Sequence, residues 1–197
     1  MSELRECGIV CPTDWVPLAI EPTDNVKRWA RSTAADLRER SRAAGYDIEA
    51  KVLEKDLRAQ AEDSRRRDPF YAFALYPDGF DSALATLEID LIHPDASVPR
   101  ITLDWLAETF SAHDFGPPLI TRTEVPIGPA VRIRQNFATA AASSGGPGVL
   151  LETLMYGVLP TGAESALVFL MSWTVPGIAE EMEEVAAGIV KTLSVAF

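Results

Sequence analysis

The chain has 197 residues, 47% hydrophobic and 24% charged, enough to bury the core of one domain over residues 1–197 and short for two. Acidic residues outnumber basic ones 29 to 18, for a net charge of -11. That sign opposes tracking of a phosphate backbone, so nucleic acid is not an expected partner. Cys7 and Cys11 are the only cysteines, which excludes a disulfide-stapled scaffold; without a nearby histidine they make half a metal site at most. They read as free thiols packed near the first strand.

In chain order, Trp15 to Ile20 reads as a short strand whose Pro17 favours a sheet edge. Thr23 or Asp24 can cap a helix in which Val26, Trp29, Ala30, Thr33 and Leu37 recur at three- and four-residue spacing, and Gly45 stands where that helix should stop. A second helical pattern uses Ala50, Leu53, Leu57 and Ala61 and ends before Pro69, because the residue before a proline is pushed out of the helical region. The run Arg65-Arg66-Arg67 at its end complements the helix dipole.

From Phe70 onward the period becomes extended. Phe70 to Tyr76 is apolar and stops at Pro77-Asp78-Gly79, and Leu84 to His93 alternates Leu87, Ile89 and Leu91 against Glu88 and Asp90, a hairpin with one acidic face. Thr102 can cap a helix carrying Leu103, Leu106 and Phe110, closed by Gly116-Pro117-Pro118. Leu119 to Val125, Val131 to Phe137, Val149 to Leu159 and Glu164 to Thr174 read as strands of an antiparallel meander, joined by short connections and by the Gly/Ser stretch 143–148. In the last strand Ala166, Val168 and Leu170 on one face and Leu167, Phe169, Met171 and Trp173 on the other are all apolar, so both faces must be dry. A closing amphipathic helix from Ile178, with Met182, Val185, Ala186, Ile189 and Leu193 in its stripe, supplies one cover, and the early helices supply the other. The expected fold is α+β, a three-layer α/β/α sandwich around a largely antiparallel sheet, with residues 1–69 as its N-terminal strand and helices and 70–197 as sheet with helices.

Gly128-Pro129-Ala130-Val131-Arg132-Ile133, the hairpin ending Ala166-Leu167-Val168-Phe169-Leu170-Met171-Ser172 and the closing helix ending Val190-Lys191-Thr192-Leu193-Ser194 resemble the PsbP/Mog-type α/β/α sandwich superfamily over residues 70–197. That resemblance implies the sandwich topology and a role carried out through binding partners, as in the extrinsic subunit of photosystem II and a nuclear-import factor that binds a small GTPase. It transfers no catalytic residue.

The chemistry available is sparse. His93 and His113 are the only histidines, and they read as a turn residue and a helix-ending residue. The sequence has no Gly-x-Ser-x-Gly elbow, His-Glu-x-x-His helix or P-loop, so no catalytic residue, metal or cofactor is expected. Glu88 and Asp90 share a strand face, and Arg132 and Arg134 repeat that two-residue spacing on another strand, so the four are expected to form cross-strand ion pairs on a solvated face. With Trp105, a hot-spot residue type placed off the Leu103/Leu106 face, they are the candidate ligand or partner residues.

The leading expectation is a non-catalytic cytoplasmic protein-binding module. Residues 70–197 carry 15 acidic and 5 basic side chains, which favours a basic partner and salt-sensitive association. The cytoplasmic assignment rests on the absence, after Met1, of the basic cluster and apolar run of a secretory leader. No segment is apolar enough to enter a membrane as a spanning helix. Two alternatives remain: a ligand-binding protein or enzyme with a pocket between sheet and helices, using His93 or His113 with Asp95 or Asp114; and a homo-oligomer that hides its own apolar strand edge.

Overall fold

A computed structural model describes residues 6–113, 115–138 and 150–196. The elements are β1 (Glu6–Gly8), β2 (Trp15–Pro17), α1 (Val26–Ala43), α2 (Ala50–Arg67), β3 (Tyr71–Leu75), β4 (Ala85–Ile92), α3 (Leu103–Phe110), β5 (Leu119–Val125), β6 (Gly128–Ala138), β7 (Leu150–Val158), β8 (Ala166–Trp173), α4 (Ala179–Val190) and β9 (Ser194–Ala196). The fold is α+β, with four helices flanking antiparallel strands as in a three-layer α/β/α sandwich. Packing divides it into two compact units, Pro12–Glu88 and Ile89–Phe197 with the N-terminal residues through Cys11, so that β4 passes from one to the other.

In the unit Pro12–Glu88, α1 starts one residue later than Asp24, and two later than Thr23, would set it. Asn25 is the N-cap and its side chain accepts from Arg28 N at 3.0 Å, whereas Asp24 accepts from Glu21 N at 3.1 Å in the preceding turn. Gly45, at φ +91°, follows the last turn as the pattern requires. Helix α2 ends on Asp68 in the left-handed region, one of the few non-glycine types that tolerate it. Ala30, Ala34 and Leu37 of α1 and Leu53, Leu57 and Ala61 of α2 close a core with Val16, Ala72 and Ala74. Leu53 and Leu57 are fully buried, and each contributes about 1.5–3 kcal/mol of transfer free energy. Two arginines pin the connections. Arg40 donates to Asp78 Oδ1 at 2.6 Å, to Thr13 O at 3.2 Å and to Tyr76 O. Arg65 reaches the carbonyls of Ala19, Ile20, Glu21 and Asp24. Pro17 does sit in an edge strand, since among the described residues β2 pairs with β3 alone.

The other unit carries the meander β8-β7-β6-β5. Register fixes its faces, because residues directly opposite in antiparallel strands point the same way. Val131 faces Gly157, which faces Val168, and Ile133 faces Met155; with Ala166 and Leu106 of α3 these build one core. Gly157 has a packing reason, as a Cβ there would meet Leu106 Cδ1 at 3.1 Å. The opposite face carries Arg132, Tyr156 and Phe169 in one row and Arg134, Leu154 and Met171 in the next. Helix α4 covers it, burying Met182, Ala186, Ile189 and Val190. The dry double face expected of β8 is met, but its second cover is α3, whose Leu106 packs with Ala166 and Val168, and not the early helices, which pack on Val16, Ala72 and Ala74. After α4 the chain turns into β9, which pairs with β1 from Glu6↔Ala196 to Gly8↔Ser194, an element absent from the sequence reading.

Candidate functional site

The candidate residues fall into separate places rather than one site. Glu88, expected on a solvated face, is buried at 7% exposure. The guanidinium of Arg67 grips it, Nε donating to Oε2 at 2.9 Å and Nη2 to Oε1 at 2.7 Å, while Nη1 donates to Asp63 and Nη2 reaches Ser64 Oγ at 3.4 Å. Two acceptors on one cation raise the Arg67 pKa, Glu88 first. Asp63 pays for partial burial, but the hydrogen bonds from Arg67 and Arg66 prevail and hold its carboxyl below the usual range. Asp90, two residues on, is half-buried and engaged.

Arg132 and Arg134 do lie on one face of β6, but the expected partners are corrected. In the order β4-β8-β7-β6 two strands stand between the acidic and basic strands, a separation of about 14 Å at ~4.8 Å per strand. The arginines instead share Glu183 of α4: Arg132 Nη2 donates to Oε2, and Arg134 Nη1 to Oε1 at 2.7 Å. Arg134 also lies 3.6 Å from Glu152. Tyr156, beside this cluster, has its pKa raised by burial, opposed by Arg132 and aided by Glu183. The cluster closes on itself as a clasp between α4 and the sheet, which leaves little charge for a ligand.

Trp105 is half-buried against the α3 core and meets Phe110 edge-on at 6.5 Å between ring centroids, so it packs more than it presents itself. His113 is exposed and lies beyond the end of α3 rather than in its last turn. Asp114 lies outside the described residues, as does the Gly/Ser stretch 143–148. His93 is exposed and its Nδ1 is 2.8 Å from Oγ of buried Ser165. Asp95 does not orient it: Oδ1 accepts from Ser97 N, Ser97 Oγ and Val98 N at 2.6–2.8 Å, and those bonds, Ser97 Oγ first, lower its pKa. A depression of about 490 Å³ is lined by Ala35, Arg38, Glu39, Arg42, Ala43 and Ala50, all on α1 and the start of α2, elements that carry neither histidine. Among the described residues, no three His, Cys, Asp or Glu side chains gather as metal ligands. No described helix is long and apolar enough to cross a membrane. Neither Cys7 nor Cys11 is in a disulfide, and burial raises the pKa of both thiols, that of Cys11 to about 11.

Sequence reasoning placed β5 as a strand but missed its position. It ends the sheet order, its seven residues all pair with β6 on one side, and among the described residues no strand pairs with the other. Leu119 is 65% and Ile120 44% exposed, and Thr121, Arg122 and Glu124 are exposed too. The signal available was composition: β5 lacks the proline, lysine and short length that blunt an edge, whereas β2 has three residues and a proline.

No protein-family model matches the chain, and no curated protein matches it. Among solved structures, that of LpqN, involved in cell envelope biogenesis of Mycobacterium tuberculosis, aligns over 97% of this chain and 83% of its own at 10% identity and a TM-score of 0.49. The expected cytoplasmic location is corrected against this finding: the similar protein is involved in cell envelope biogenesis, and neither that location nor the cytoplasm is assigned to this chain.

Proposed function

We propose that this protein is a non-catalytic binding module that takes an extended segment of a protein partner on the outer edge of β5. The observation that carries this reading is the unguarded edge itself: seven residues of strand, with their outer backbone groups unmatched by any described strand and two large apolar side chains in solvent. Strand addition satisfies those backbone groups and gives affinity, while alternate side chains give specificity. The turning of Asp95 to Ser97 and Val98 rather than to His93, and the self-contained ion clusters of Glu88 and of Arg132 and Arg134, support binding over chemistry. The implied PsbP/Mog-type resemblance, whose members act through partners, agrees with it.

The test is photo-crosslinking in the source cells, with a photoreactive residue in place of Thr121 and, as a control, in place of exposed Arg31 on α1. A discrete protein adduct from position 121 alone is expected. Equal adducts from both positions, or none from 121, refute the reading.

Charge favours a second reading. Glu180, Glu181 and Glu184 of α4 are exposed in a chain of net charge -11, which suits a partner with a basic surface. Such association weakens as salt rises past the point where the Debye length falls below about 8 Å. Affinity unchanged by salt rules that reading out.

A further inference from the structure

We infer that the segment received by β5 is β5 of a second copy of this chain, an inference that rests on the strand-addition reading and names its partner. The argument is the register of charges. Arg122 and Glu124 stand two apart on β5, so they point to the same face, the one that also carries Val131 and Asp104 of α3. A two-fold axis that pairs two antiparallel strands passes through one residue position, opposite its own copy, and every residue i then faces j while j faces i. Centring on Thr123 puts Arg122 opposite Glu124 of the second copy and Glu124 opposite its Arg122. Centring on Arg122 or on Glu124 opposes like charges instead, a destabilising choice.

The same centring matches the apolar ends. Ile120 falls opposite Pro126 and Leu119 opposite Ile127, so the exposed pair at one end of β5 covers the turn that closes the other end. Thr121 meets Val125. Thr121 to Val125 hold no proline, so no donor is missing from that central stretch of the new ladder, and Pro126 opposite Ile120 lies in the turn beyond it. Arg122 now pairs with Asp104, whose side chain is 93% exposed, a partner in open solvent that holds it weakly and leaves it able to turn to Glu124.

The experiment is sedimentation equilibrium of the purified full chain over a concentration series, with Arg122→Glu, Glu124→Arg and the double exchange. The unsubstituted chain should approach the dimer mass at the upper concentrations. Because the axis repeats each contact, either single reversal turns two attractive pairs into two repulsive ones and weakens the dimer by about tenfold or more. The double exchange restores the opposition and should recover the unsubstituted affinity. All four proteins carry exposed positions only, and matching circular dichroism spectra confirm that the fold is kept.

A monomer at every concentration, single reversals without effect, or a double exchange no better than the singles would each overturn the inference. These outcomes are separable from failure of the function itself. A monomeric purified chain that still gives a foreign protein adduct at position 121 sinks the self-pairing and keeps the strand-addition reading, whereas a monomer with no adduct sinks both.

Discussion

Removing the arginine that grips Glu88 separates a structural carboxylate from one held ready for a ligand. The Glu88 side chain is 9% exposed and accepts from both Nε and Nη2 of Arg67, whose own side chain is 46% exposed. Arg67→Met leaves the carboxylate buried without its cation, a change that costs about 3–5 kcal/mol in closed interiors. Because half of Arg67 faces water, solvent can enter its place, and the lower end, about 3 kcal/mol, is expected. Glu88→Gln keeps an acceptor for the guanidinium, which also retains Asp63 and Ser64, so the loss is that of a charge-assisted bond turned neutral, about 1 kcal/mol. The double variant buries an amide in place of an unpaired charge and should lie about 2 kcal/mol below the parent, more stable than Arg67→Met alone. Thermal unfolding followed by circular dichroism reads this as a fall of roughly 6–12 °C for Arg67→Met at about 2–4 °C per kcal/mol in a chain of this size, partly reversed in the double variant. A double variant less stable than Arg67→Met, or an Arg67→Met loss under about 1 kcal/mol, would refute the reasoning.

Three further outcomes follow from the same kind of accounting. Glu183→Gln takes one carboxylate from two arginines on β6 and should lower stability by about 1–2 kcal/mol with faster amide exchange through α4; Glu152→Gln, at 3.6 Å from Arg134, should change it by less than about 0.5 kcal/mol. Tyr76 has its pKa raised, first by burial and then by Asp56, to which its hydroxyl donates at 2.7 Å. A raised folded pKa means that the native state holds its proton longer than the unfolded chain, so this contribution is whole below about pH 10 and is lost as pH rises beyond it. Tyr76→Phe should cost about 1 kcal/mol at neutral pH and flatten the alkaline limb of a stability-pH profile; an unchanged limb counts against the assignment. Gly128 sits at φ +151° with Leu159 O 2.2 Å from where a Cβ would be, so Gly128→Ala should cost about 3 kcal/mol in denaturant titration, and a loss under about 1 kcal/mol would show that the β5 to β6 turn yields.

Local periodicity made most elements legible. The stripes of α1, α2 and α4, the Thr102 cap and the doubly apolar β8 all encode burial in spacing that a side chain must satisfy within its own element. What stayed hidden was the choice of partner across long separations. Glu88 alternates with Leu87 and Ile89 as a solvated residue would, and its burial depends on Arg67, 21 positions earlier, in a run that helix-dipole reasoning had already explained. Glu183 stands near the start of α4, where the helix dipole alone accounts for an acid, and only the pairing of distant strands places two arginines beneath it. Strand β9 has three residues and pairs with β1 near the other end of the chain, too short for any period to show.

The edge is hidden for a different reason. A strand at the end of a sheet and a strand in its middle share the same alternation, because alternation reports faces and an edge is a property of order. What differs is what the strand omits. β2 is short and holds a proline, so its outer side offers little to a second strand; β5 is more than twice as long and holds neither proline nor lysine. Two edges of one sheet under the same pressure against aggregation should both be blunted unless one is occupied. The asymmetry therefore argues that β5 is covered in use, and its one pair of opposite charges, spaced to oppose themselves across a two-fold, is the feature a second copy needs and a chance edge does not.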